Sequence, residues 1–592
     1  MKIFFVTLFL LLQYCCNGLG LDGNPCPLYA NDTATRSCGP KLCFAGQFKS
    51  FGVLQRSPQR AALYGASGEP PLVGVDVLVT LSGILDSGLT YNESFITTTM
   101  NDGTWKVLLD AMPAFGDFTA TASCGSQKVT ISNLTFGDVW VASGQSNCGN
   151  GSPVRNNFWR NESYAGIFNN SYSNIAIWES SDSGGVPIPR EELGNWVVSG
   201  DNYNGWLRLD PSLTLGEIDN FAATPVFWAM RLTNLMRELE ERPIPLGIAM
   251  NAVGGTDLAA WAPYYSVLNA GCVNATCMCR DNWTQECPWT LPMSNRSQCQ
   301  CNGMQFARQI QPMLNMTIKG MIWWQGENDC MFDAGNVAQN TGYAWTLKAM
   351  LNSYRQMWSV IPNTTDPNFP FGSVLLSDGS DFGDPENLAN VILAQTANYG
   401  RLPNPDLQNS FLAVPEPDPW MDMNNPDLCS QFDCCVDPPI PLGPTCTGDH
   451  RGLWTNSTPN QSSLHPRTKG VSSDRLAQAA YASVYNTSTS LLSTGPIFSG
   501  CFISGQTLTI TFDEASLKNE RVLVLKPEGA EPLSLQLENT ALYILTNPSG
   551  LLLRHLRGII LKAILRSITD HTRLVFFKEI KCLEMNLESK VG

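Results

Sequence analysis

The spacing of apolar positions changes character along the chain. Between Gln47 and Leu134 the apolar runs are short and rich in β-branched residues, as in Val75–Leu81 and Gln127–Ser132. Turn signals divide them at Gly68-Glu-Pro70, Asn101-Asp-Gly103 and Phe115-Gly-Asp117. This pattern predicts an all-β sandwich over 46–134. From Phe136 the runs become largely apolar, and most lead into glycines. Asp138–Ala142 leads into Gly144, Pro245–Met250 into Gly254-Gly255 and Ile318–Trp324 into Gly326, with a fourth run at Phe371–Leu376. Strands apolar on both faces and followed by a tight turn predict a parallel sheet covered on both sides. The C-terminal ends of such strands form the crevice where α/β proteins place ligands.

This α/β region is expected over 135–490, with a covering helix over Asp219–Glu240. Two insertions interrupt it. Cys272, Cys277, Cys279, Cys287, Cys299 and Cys301 crowd into 262–303, and Cys429, Cys434, Cys435 and Cys446 into the Pro- and Asp-rich 416–460. From 491 to 592 the chain returns to β grammar, with alternation in Gln506–Phe512 and in part of Arg521–Leu525. Gly550–Lys581 is apolar and basic, and reads either as a membrane-surface helix or as a poorly packed tail.

The N-terminus sets the compartment. Met1-Lys2, the apolar Ile3–Leu12 and the small residues around Gly18-Leu19-Gly20 predict a signal peptide over 1–20. The run falls short of the ~20 residues that span a bilayer, and no later uninterrupted run reaches that length, so no stable transmembrane anchor is expected. A Cys-bearing extension (Cys26, Cys38, Cys43) fills 21–45. Of 20 cysteines, Cys15 and Cys16 fall inside the signal and leave an even number. In an exported chain with fourteen Asn-x-Ser/Thr sequons, disulfide-stapled loops are favoured over zinc, because the clusters contain little histidine. An extracellular or lysosomal location follows. With 43% hydrophobic residues the 592-residue chain can bury large cores, and a formal net charge of -15 argues against nucleic acid as a partner.

The chemistry-bearing stretch is Gly137-Asp-Val-Trp-Val-Ala-Ser-Gly-Gln-Ser-Asn147. A strand ends, a glycine permits a tight turn, and Ser146 is presented before a helix, which exposes Oγ and aims backbone N–H groups at a developing oxyanion. Cys148 stands where an α/β-hydrolase elbow places glycine, so that family does not fit. A serine nucleophile needs a base, and the chain has four histidines. His555 and His571 lie in the basic tail and His450 in the second insertion. His465, in Leu464-His-Pro-Arg-Thr-Lys-Gly470 ahead of a helical stretch over Asp474–Tyr485, is the candidate base.

Four motifs follow one another in order: Phe136-Gly-Asp-Val-Trp with Ser143-Gly-Gln-Ser-Asn147, Gly254-Gly-Thr-Asp-Leu-Ala-Ala-Trp261, Gly320-Met-Ile-Trp-Trp-Gln-Gly-Glu-Asn328, and His465-Pro-Arg-Thr-Lys469. Over roughly 46–490 the chain resembles the sialate O-acetylesterase family. The resemblance implies a flavodoxin-like SGNH-hydrolase core with flanking all-β domains, and a cofactor-free serine esterase acting on an acetylated carbohydrate. It implies that Ser146 attacks the acetyl carbonyl and His465 shuttles the proton. The Ser146 and Gly255 N–H groups and the Gln325 side chain would hold the oxyanion, with Glu327 and Asn328 organising the crevice. Glu327 reads equally as a buried strand-end carboxylate that holds loops together. Ser462 stands where many SGNH enzymes carry the aspartate that orients the histidine, so Ser462, a backbone carbonyl, Asp449 or no acid at all remain open. The implied substrate is sialic acid acetylated at the 9-position. Another glycan such as xylan, or glycan binding without turnover, are the alternatives.

Overall fold

A computed structural model describes residues 41–68, 70–149, 160–179, 205–218, 221–263, 266, 278–279, 299–300, 303, 305–332, 341–376, 385–415, 469–485, 497–504, 507–513, 516, 522–525, 533–536, 542–544, 564–567 and 573–575. The N-terminal part contributes β1 (Cys43–Phe44), β2 (Val53–Gln55), β3 (Ala62–Ala66), β4 (Asp76–Ile84), β5 (Thr90–Thr98), β6 (Thr104–Leu108) and β7 (Phe115–Cys124). β1, β3 and β6 form one small sheet, while β4 pairs antiparallel with β5 and β7. Then comes β8 (Gln127–Gly144), and its burial explains its two roles. The first half alternates, pairing antiparallel with β7, whereas every residue from Phe136 to Gly144 is buried. That second half enters the parallel sheet. One strand therefore runs through position 134 without interruption.

The parallel sheet adds β9 (Ile175–Glu179), an antiparallel edge strand β10 (Leu207–Arg208), and β11 (Leu246–Ala252). β12 (Met278–Cys279) and β13 (Cys299–Gln300) pair with each other in a separate ribbon. β14 (Gly320–Trp324), β15 (Phe371–Val374) and β16 (Ser410–Ala413) complete the sheet, whose order is β10-β9-β11-β8-β14-β15-β16. Six of these strands are parallel, in the order β9-β11-β8-β14-β15-β16, with the antiparallel β10 at the edge. The strand residues alternate between two cores. Val139, Val141, Met321 and Trp323 pack on one side, and Trp140, Ala142, Ile322 and Trp324 on the other.

Helices cover both sides. α1 (Ser146–Gly149), α2 (Arg160–Phe168), α3 (Leu215–Ile218) and α4 (Ala223–Glu238) follow β8, β9 and β10. α4 starts inside the expected Asp219–Glu240 window, and its Pro225 occupies the first turn, where a missing N–H costs least. After β11 come α5 (Leu258–Trp261), then α6 (Glu327–Phe332), α7 (Thr341–Trp358), α8 (Pro385–Ala394) and α9 (Lys469–Ala480). α4 and α9 share the core of Trp140, while α7 and α8 share that of Val139 and the N-terminal strands. Trp261, Trp323 and Trp324, three aromatic residues that flank the motifs, are all buried at 0–1% exposure and belong to the packing.

In the C-terminal region, strands Thr507–Phe512 and Val522–Leu525 lie within the predicted ones. The described pieces of the basic tail, Ile564–Ser567 and Arg573–Val575, are paired antiparallel strands rather than helix. No helix among the described residues is long and apolar enough to cross a membrane.

An ion pair between a half-buried arginine and a buried aspartate fastens the N-terminal strands to the parallel sheet. Asp138 on β8 is 1% exposed and accepts from Arg56 Nε at 2.8 Å, Arg56 Nη2 at 3.1 Å and Gln55 Nε2 at 3.2 Å. Gln55 Oε1 accepts the Val139 N–H at 2.9 Å, so the chain after β2 is pinned at several points. Removing one partner of a buried pair strands the other's charge. Arg56→Ala is expected to lower unfolding free energy by about 2–4 kcal/mol. Denaturant unfolding of the oxidised full chain measures it, and a change under ~0.5 kcal/mol would show that water replaces the guanidinium, as it does at exposed ion pairs.

Candidate active site

Strand register brings three of the motifs to one edge. Gly144 lies opposite Ala252 of β11 and Trp324 of β14, so the turns after β8, β11 and β14 open at the same level. Gly144 makes this approach possible. It has φ +136, and a Cβ there would lie 2.1 Å from the Trp324 carbonyl oxygen. The chain then turns at Gln145, whose N–H donates to that same carbonyl at 2.9 Å, and Ser146 opens α1 half-buried at the crevice.

The β11 turn meets the serine directly. A Cβ on Gly254 would sit 3.6 Å from Ser146 Cβ, in ordinary van der Waals contact. Gly255 has φ +68 with open space where its side chain would be, so glycine is required there by conformation and not by crowding. Asp257 then caps α5 by accepting the Ala260 N–H at 3.2 Å.

The loop after β14 is tied to both neighbours. Gln145 Oε1 accepts from Gln325 Nε2 at 3.2 Å, the Asn328 N–H at 3.3 Å and the Gly326 N–H at 3.4 Å. Gln325 is fully buried, and its amide nitrogen also donates to the Thr256 carbonyl at 2.9 Å and to Asp329. Its Oε1 accepts from the Tyr343 hydroxyl at 3.0 Å. The amide expected to face an oxyanion is thus committed to the scaffold that joins the β11 and β14 turns. Asn328 contributes a backbone N–H to the same knot. Asp329 accepts the Leu258 N–H at 3.1 Å through Oδ2 and completes it.

Glu327 opens α6 at 1% exposure. Asn147 Nδ2 donates to its Oε1, while Oε2 meets no donor in hydrogen-bonding geometry. Burial is the main influence on its acidity and raises its pKa to about 7. Asn147, nearby backbone N–H groups and the positive charge of Lys469 oppose that shift only in part. On the other side of Asn147, Lys469 Nζ donates to Oδ1 at 2.6 Å and stands 5.0 Å above the Trp324 ring. The Thr224 hydroxyl of α4 donates to the Asn147 carbonyl at 2.8 Å. Asn147, next to the serine, is held from three elements.

Of the sequence-predicted residues, Ser146, Gly255, Gln325, Glu327 and Asn328 therefore gather at one end of the sheet. His465, Ser462, Asp449 and His450 lie outside the described residues, as do most of the two Cys-rich insertions. Gln145, Asn147, Asp329 and Lys469 had no role assigned from sequence, although the first two sit inside the serine motif. Cys148 is buried in the core shared with Trp140 and α4. Among the described residues no group of three or more His, Cys, Asp or Glu is placed to hold a metal ion.

No family model matches the chain. It is 27% identical over 414 residues to the sialate O-acetylesterase of Rattus norvegicus, covering 64% of this chain and 68% of that one. To the human sialate O-acetylesterase it is 27% identical over 392 residues, with 64% and 66% covered. A carbohydrate acetylesterase from Xanthomonas citri shares the fold at a TM-score of 0.54, with 18% identity over 90% of this chain and 93% of that one. The chain is thus similar in sequence to sialate O-acetylesterases and in fold to a carbohydrate acetylesterase. It is a carboxylic ester hydrolase, and the match spans about two thirds of each relative's own length. The serine turn, the Gly254-Gly255 turn and the Gln325–Asn328 loop are the part of this chain that its strand register assembles.

Two outcomes follow from this geometry. Gly144→Ala forces a methyl group against a backbone oxygen that cannot rotate away, so β8 and β14 must separate at the serine turn. Esterase turnover on a chromogenic acetyl ester is expected to fall at least about 100-fold, since displacements near 1 Å carry that cost. Turnover within a few-fold of the parent would show that the turn relaxes around the methyl group.

The second concerns Glu327. Its folded-state pKa, about 7, lies above the ordinary carboxylate value of 4.5. Its contribution to stability is therefore fully present below about pH 4.5 and is lost as pH rises through about 7. Glu327→Gln cannot ionise. Its stability relative to the parent is expected to rise by roughly 3 kcal/mol between pH 4 and pH 8, read from paired unfolding curves. A constant difference across that range would contradict the shift.

Proposed function

We propose that this chain is a serine esterase that removes O-acetyl groups from a carbohydrate, with Ser146 as nucleophile and His465 as general base. The observation that carries this reading is the meeting of Ser146 with Gly254-Gly255 and the Gln325–Asn328 loop at the C-terminal ends of β8, β11 and β14. Ser146 Oγ attacks the acetyl carbonyl while His465 takes its proton. The oxyanion that forms is held by the N–H groups of Ser146 and Gly255, each such donor being worth about 10²–10³-fold in rate. Collapse returns the proton to the sugar oxygen. His465 then activates water to release acetate from Ser146. Gln325 acts through the scaffold and not as a third donor.

Chain length supports His465. Lys469 is bonded to Asn147, the neighbour of Ser146, and His465 precedes it by four positions. Four residues of chain reach at most about 14 Å. The core that presents these groups is read as SGNH-type. Sialic acid acetylated at the 9-position is the preferred substrate in this reading, supported by what the relatives' names say they act on. Fourteen sequons and a cysteine-rich composition support work in the secretory pathway, at the cell exterior or in lysosomes.

Acetate release by the purified protein, measured beside Ser146→Ala and His465→Ala, tests the mechanism. Each variant is expected to lose at least about 10³-fold in kcat. Retained activity in Ser146→Ala would remove the nucleophile assignment. Turnover of acetylated xylan without turnover of acetylated sialic acid would move the substrate, and glycan binding without any turnover would replace the esterase by a lectin-like role.

A further inference from the structure

Three side chains behind the serine form a continuous buried bridge. Lys469 is 6%, Asn147 2% and Glu327 1% exposed, so all three are sealed from solvent. The bridge runs Lys469 Nζ to Asn147 Oδ1 at 2.6 Å, then Asn147 Nδ2 to Glu327 Oε1. An amide can accept from a cation at one end and donate to a carboxylate at the other. Each charge at the ends polarises the amide in the direction the other needs, which strengthens both bonds in a medium of low polarisability. The orientation of the Asn147 amide is thereby fixed.

The three residues come from separate parts of the chain. Asn147 follows the nucleophile, Glu327 opens the helix after β14, and Lys469 opens α9. The Lys469 ammonium also rests over the Trp324 ring, at the residue that packs against Gly144. Lys469 thereby fastens the start of α9 beside the serine turn. Other charged and ionisable groups near the carboxylate are Asp329 on α6 and Tyr343 on α7, both already bonded to Gln325.

We propose that Lys469 and Glu327, joined through the Asn147 amide, are positioning residues that hold the serine turn in its working place. Neither touches substrate. Their effect is on the placement of Ser146, and the inference rests on the serine-esterase reading above. Loss of the bridge therefore lowers kcat and leaves KM nearly as it was.

The test uses the full-length secreted protein and a chromogenic acetyl ester, with Lys469→Met, Glu327→Gln and the double variant beside Ser146→Ala. At pH 8, above the Glu327 pKa of about 7, each single variant strands one buried charge. The double variant strands none and is expected to melt closer to the parent than either single. Despite that recovery, kcat per folded molecule of the double variant is expected to stay about 10–100-fold below the parent with KM within about twofold, the scale of loss caused by misalignment of reacting groups. Parent-like kcat in folded Lys469→Met or in the folded double variant overturns the proposal and leaves the bridge a packing feature. Failure of both to fold also overturns it, by making the bridge a requirement of the fold. Activity surviving in Ser146→Ala is a different failure, that of the nucleophile assignment, and is recognised apart from the bridge variants.

Discussion

The parallel pairing of β8 with β11 on one side and β14 on the other is the constraint from which the site follows. Backbone hydrogen bonds fix which residues lie opposite one another, and a slip of one position would exchange the two faces of every strand. The two cores forbid such a slip, because Trp140 and Trp324 belong to one and Val139 and Trp323 to the other. With the register locked, three turns must open together. Gly144 lets the backbones stay close at that level, and the side chains of Gln145, Gln325 and Asp329 convert proximity into a hydrogen-bonded knot.

Polar groups are concentrated where the sheet ends. In the strands, burial is nearly complete and apolar; beyond them sit Gln145, Asn147, Gln325, Glu327 and Asp329, all buried. Each unpaired polar atom in such a place carries a desolvation cost, so the group is stable only as a network in which most members are satisfied. The exception among these five, Glu327 Oε2, belongs to a carboxylate whose ionisation burial opposes. The protein tolerates a half-satisfied carboxylate one residue removed, through Asn147, from Ser146.

Much of this was legible in the sequence because the underlying physics is local. Runs such as Ile318–Trp324 and Pro245–Met250 are apolar on both faces over most of their length, as a doubly covered strand needs, and the glycines after them mark turns. β9 and β16 escaped notice because four or five apolar residues without a glycine signal resemble any buried segment. Ser146, Gly255 and Glu327 could be picked out because each stands in a short motif at a strand end. Lys469 could not. A lysine normally reads as a solvated charge, and its burial against Trp324 and Asn147 depends on α9 packing against α4, a contact between residues roughly 250 positions apart. The partners of the Gln325 amide were hidden for the same reason: residue type advertises a donor, but only the fold decides which acceptors it meets, here Gln145, Thr256 and Asp329.

The shared strand β8 has a consequence for how the molecule is made. Its pairing partners in the β layer are close in sequence, but the groups it must meet at Gln325 lie 180 residues further on. At ordinary rates of synthesis, on the order of 5–20 residues per second, the growing chain spends about 10–40 s with the β14 side of β8 uncovered. Such an edge templates wrong pairings. Completion of the parallel sheet is therefore timed by synthesis of the chain through β14, long after the β layer beside β8 has all its strands.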